Sequence, residues 1–182
     1  SSDLGGVRPY AWSALPRMMM GEVGEYSFAE TGVAQGWSSD DGCRRYVLPF
    51  AFPFFDREYR EVFVSDNGTI AFDRYFSNTS YSYDAVTNTP LLAPLWNDLD
   101  GGDIYVDAAS DTVTFRWAKH YYDDETNRVN FSATLHADGT IRFAYGDGNA
   151  DDEWFWAATE LYFLTKDSHY ADIDIAAKAL KG

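Results

Sequence analysis

One cysteine, Cys43, is all the chain has. A single thiol closes no internal disulfide, so burial has to hold the fold together. A catalytic thiol needs a base beside it. None of the three histidines, His120, His136 and His169, neighbours Cys43 in sequence. Positive charge is also scarce. There are 14 Lys and Arg against 29 Asp and Glu, a net charge of −15. Such a surface repels polyanions, which argues against nucleic acid and against an anionic membrane as partners. Cations, neutral polymers such as glycans, and basic protein patches remain; so do solubility alone and a saline habitat. No run of about 20 apolar residues occurs, so no helix inserts into a membrane. No signal peptide is visible, and the start at Ser1 without Met fits a mature, exported form. Gly-x-Ser-x-Gly, His-Glu-x-x-His, P-loop and Rossmann patterns are missing. The acids are many, but nothing singles out a glycosidase pair. The expectation is a protein that is not an enzyme.

Aromatic residues are abundant, 18% of the chain, and they fall in strand-like runs. Residues 48–72 set the pattern. Val62, Phe63 and Val64 are followed by Asp66-Asn67-Gly68, which tolerates the positive φ of a tight hairpin, and Thr69–Phe72 restarts the strand. Pro49 and Pro53 cannot donate to a ladder, so residues 48–55 belong at a sheet edge or a strand boundary. Val113, Phe115 and Trp117 alternate with polar neighbours. Val129, Phe131, Ala133 and Leu135 do so too, and then turn at Ala137-Asp138-Gly139 into Ile141, Phe143 and Tyr145. Short strands at 8–12-residue spacing read as an all-β, antiparallel β-sandwich with jelly-roll or immunoglobulin-like layering. There is no internal repeat.

Residues 1–35 form an N-terminal arm or first strand, and residues 36–182 the sandwich domain. Met18, Met19 and Met20 fit a packed arm or short helix, or a segment that docks on another subunit. An extended arm within residues 1–20, carrying Val7, Tyr10, Trp12 and Leu15, suits strand addition to a neighbour's edge and thus a homo-oligomer.

Five stretches taken together resemble a known module: LPFAFPFF (48–55), VFVSDNGTIAF (62–72), LLAPLWNDLDGGDIYV (91–106), VTFRWAKHY (113–121) and VNFSATLHADGTIRFAYGD (129–147). Their order over residues 36–148 is similar to the nidogen-like extracellular β-sandwich of secreted and surface bacterial and archaeal proteins. Leu95 stands where Phe is commoner. The resemblance implies an extracellular or cell-surface location and structural or adhesive work, with no active site to carry over. A self-assembling surface or filament subunit follows from it and from the arm.

Asp98, Asp100 and Asp103, in a glycine-containing run, are the densest oxygen ligands and suggest calcium. Their spacing is not that of an EF-hand, which favours a solvated turn with Asp side chains capping backbone N–H groups. The run 147–153 and Asp123-Asp124-Glu125 are further acidic clusters, the latter at a hairpin tip. Two such loops at one end of the sheets would strengthen a shared cation site. Tyr81, Tyr83, Trp154 and Trp156 raise the alternative of a carbohydrate-binding module, against which stands ordinary core packing. Three triplets match the N-glycosylation pattern, at Asn67, Asn78 and Asn130. Asn67 is better explained by its turn, and Asn78, in a long polar loop, is the favoured carrier.

Overall fold

The computed structural model describes residues 28–55, 57–80, 82, 85 and 88–146. The arm expected at residues 1–20 and the segments beyond 146 lie outside them. The described chain is all-β. Its strands are β1 (Val33–Ala34), β2 (Cys43–Phe54), β3 (Arg57–Ser65), β4 (Ile70–Ala71), β5 (Leu91–Leu92), β6 (Leu99–Ala108), β7 (Thr112–Tyr121), β8 (Asp124–His136) and β9 (Ile141–Tyr145). Two antiparallel sheets result, ordered β2-β3-β4-β5 and β1-β6-β7-β8-β9.

The alternation read from sequence sets which faces meet. Val113, Phe115, Trp117, Phe131, Ala133 and Leu135 are fully buried, and Phe52, Val62, Ile70 and Phe72 oppose them in one shared core. Trp117 stacks on Phe131 at 5.0 Å, and Phe54 on Phe72 at 4.2 Å. Tyr46 meets Phe115 edge-on across the two sheets. Each such ring contributes about 2–3 kcal/mol by leaving water. Val62, Phe63 and Val64 are buried without alternation because the outer face of the first sheet is also covered. There Phe63, Ala71 and Leu91 form a second cluster with Phe76 and Trp96.

Pro49 and Pro53 lie inside β2, which is an edge strand. Regular pairing with β3 breaks between Val47 and Phe52, so the missing donors cost few ladder bonds. The Ser65–Thr69 hairpin forms, with Ser65 N donating to Thr69 O at 2.9 Å. Gly68 has φ +75°, and a Cβ there would run into the Leu95 carbonyl and the Phe131 ring.

A strap, residues 28–37, crosses the outer face of the second sheet. The Phe28 ring lies against Gly146, just past β9. Asn130 Nδ2 donates to Glu30 Oε1 at 2.7 Å, and Arg116 Nε donates to Thr31 O at 3.1 Å. The Arg116 guanidinium also covers the Tyr105 ring at 3.9 Å. The strap then pairs as β1 with β6, Val33 opposite Val106.

Two outcomes follow. Gly68→Ala should lose about 3 kcal/mol in urea unfolding, because strain at positive φ and overpacking act together. His136 supplies a pH dependence. Burial first, then the Arg142 guanidinium, holds its imidazole below the ordinary range, against the opposing pull of Asp138 and Asp111. A depressed folded-state pKa means that the folded chain binds fewer protons, so this contribution is lost as pH falls through the unfolded value of 6.5. The urea midpoint of the wild type should drop, relative to His136→Gln, between about pH 7 and pH 5.5.

Candidate metal centre

Turns usually lie at the surface, where water satisfies their backbone. The β3–β4 turn does not. Ser65, Asp66, Asn67 and Thr69 are 2% exposed or less. Every polar group there needs a protein partner, and those partners build the site.

Asp66 reaches into the second sheet. Its Oδ1 lies 3.2 Å from Lys119 Nζ, both side chains being buried. Its Oδ2 accepts from Ser39 Oγ at 2.9 Å, and Arg44 Nη2 donates to that hydroxyl at 3.0 Å. Burial pushes the Asp66 carboxyl up, while Lys119, Ser39 and Arg44 pull it back. Lys119 also donates to Gly101 O at 2.9 Å, and Trp117 Nε1 to Ser65 O at 2.8 Å.

Asn67 holds two loops at once. Its Nδ2 donates to Asp41 Oδ1 at 2.9 Å, and its Oδ1 accepts from Leu99 N at 3.0 Å. Asp41 has φ +53°, a region that Asp tolerates better than most residues. Gly42 O accepts from Asp66 N at 2.8 Å, which fastens the Asp40–Asp41 turn to the hairpin. The Leu99 bond fixes the preceding residue, Asp98. The tip between β7 and β8 joins from the other side, Tyr122 N donating to Asp98 O at 3.0 Å.

These bonds bring carboxylate oxygens of Asp40, Asp41 and Asp98 within 4.8 Å of one another. Asp98 Oδ1 is shut off from solvent and has no hydrogen-bond partner among the described residues. Burial raises the Asp98 carboxyl above its ordinary range, and Asp41, Asp40, Asp123 and Asp100 raise it further. Arg44 and Lys119 act on Asp66 instead. Three converging carboxylates with an occluded free oxygen form a hard, anionic donor set, which suits calcium with its tolerance for irregular oxygen shells.

Of the three carboxylates singled out in sequence, Asp98 alone belongs to this cluster. The run expected as a loop is mostly strand. β6 starts at Leu99 and is interrupted by a bulge between Asp100 and Asp103, where Gly101 and Gly102 have φ +59° and +58°. Asp100 Oδ1 caps Gly101 N at 2.6 Å. Asp103 turns to the strap and accepts from Gly36 N at 3.0 Å and Trp37 N at 2.8 Å. Asp40 and Asp41 lie in Ser38-Ser39-Asp40-Asp41-Gly42, a composition that signals a turn and nothing more. Their pairing with Asp98 depends on the Asn67 side chain, which leaves no local pattern.

Tyr81, Tyr83, Trp154 and Trp156 lie outside the described residues. Tyr75, which is described, is exposed and rests on Phe63 at 4.8 Å. Cys43 is half-buried, and burial pushes its thiol up. A family model described as NIDO related, that is, nidogen-related, matches residues 20–159. No solved structure matches the chain.

The buried ion pair carries its own test. Lys119→Met strands Asp66 in the interior and should cost about 3–5 kcal/mol in urea unfolding. Pairing it with Asp66→Asn should restore part of the loss, and a double-mutant cycle measures the coupling.

Proposed function

The chain belongs to the nidogen-related family, and from that premise we propose that it is a non-catalytic, extracellular structural and adhesion module whose acid-lined end is closed by calcium. Family membership supports the extracellular, structural part of this reading. The occluded, unpartnered Asp98 oxygen beside Asp40 and Asp41 supports the calcium part.

Calcium bound there draws together two segments, the Asp40–Asp41 turn and the residue that precedes β6, the latter also held by Tyr122 N of the β7–β8 tip. It removes the repulsion among their carboxylates and stiffens that end of the sandwich. Three carboxylates completed by carbonyls and water place the affinity in the weak class, about 10⁻⁴–10⁻³ M, characteristic of extracellular modules. The surrounding acidic surface favours basic protein patches as adhesive partners. Self-association through residues 1–20 is a further part of the proposal.

Thermal unfolding of the full chain tests it. Calcium at about ten times its dissociation constant should stabilise by about 1.4 kcal/mol over a chelator, a rise of about 3–6 °C. Asp98→Asn should abolish the response without lowering the melting temperature in chelator, because it removes a repelled charge. Asp100→Asn should keep the response. Identical wild-type melts in calcium and in chelator would sink the cation reading.

A further inference from the structure

The chain carries three Asn-x-Ser/Thr triplets, at Asn67, Asn78 and Asn130. In N-glycosylation the acceptor Nδ2 attacks C1 of an oligosaccharide carried on a polyprenyl diphosphate. The C1–N bond forms, the C1–O bond breaks, the amide loses one proton to the transferase, and the polyprenyl diphosphate leaves. The product amide keeps one hydrogen and bears a bulky polar chain, so the folded protein has to leave it in solvent.

Two of the three positions fail that requirement. Asn67 is 0% exposed, and its amide nitrogen serves Asp41 Oδ1 and Ser77 O. Its Thr69 is equally buried. Asn130 lies beneath the strap. Its Nδ2 donates to Glu30 Oε1 and its Oδ1 accepts from Arg116 Nη1 at 3.1 Å, while Ser132 is buried. A sugar on either nitrogen displaces bonds that hold the metal centre or the strap.

Asn78 meets the requirement. Asn78 and Ser80 are both exposed. The Asn78 side chain has no hydrogen-bond partner among the described residues. Its backbone is nevertheless fixed, because Trp96 Nε1 donates to Asn78 O at 2.8 Å and Asn67 Nδ2 donates to the adjoining Ser77 O at 3.3 Å. We propose that Asn78 is the acceptor of an N-linked glycan, presented from this pinned backbone beside the Phe76–Trp96 pair. The proposal shares with the module reading a passage through a secretory route, and it is independent of the cation.

The test is expression of the full chain behind a cleavable secretion signal in a eukaryotic host. Enzymatic deglycosylation in heavy-oxygen water converts each formerly glycosylated Asn to a labelled Asp, which peptide mass spectrometry locates. The label should appear at position 78 and at neither 67 nor 130. Asn78→Gln and Ser80→Ala should both be secreted with the wild-type melting temperature and without the glycan. A secreted folded chain bare at Asn78, or one labelled at 67 or 130, would overturn the proposal. Loss of the glycan with the calcium response intact would separate its failure from that of the cation reading.

Discussion

A hairpin turn buried between two sheets constrains nearly everything else. Residues 65–69 sit where water cannot reach their polar groups. An unsatisfied buried donor or acceptor costs about 1–3 kcal/mol. The surroundings are therefore obliged to supply partners: the Trp117 indole, the Lys119 ammonium, the Gly42 carbonyl and the Leu99 amide. They come from three segments, two from β7, one from the start of β6 and one from the turn leading into β2, so the hairpin registers β2, β6 and β7 against one another more specifically than apolar packing can.

The acidic end is a by-product of that registration. Asn67 uses both ends of its amide to hold the Asp40–Asp41 turn and the start of β6. Carboxylates that would separate in water are thereby kept within reach of one another. Stability in the interior is thus converted into electrostatic tension at the rim. The buried Asp66–Lys119 pair below uses up the local positive charge, which leaves the rim unneutralised.

Much of the fold was legible in the sequence. Period-two runs such as Val113-Phe115-Trp117 and Val129-Phe131-Ala133-Leu135 point inward as expected, and Asp66-Asn67-Gly68 and Ala137-Asp138-Gly139 turn where expected. These are local properties, set by neighbouring residues. The site was legible only in part. Asp98 stood out, but its companions lie far away in sequence, and Asp100 and Asp103 were diverted by a two-glycine bulge whose position depends on pairing with β7. The strap was unreadable for the same reason: Arg116 looks like an ordinary outward strand residue until Thr31 crosses above it.

That crossing has a mechanical meaning. Phe28 touches Gly146, so the polypeptide enters and leaves the described sandwich side by side. Opposed pulls applied at those two residues meet the ring contact, the Gly146 N–Asn130 O bond and the adjacent Asn130–Glu30 bond first, and do not act along the length of the β-ladders. A load on the two ends therefore opens that juncture first and peels the strap and β9 edgewise, contact by contact, before it reaches the aromatic interior.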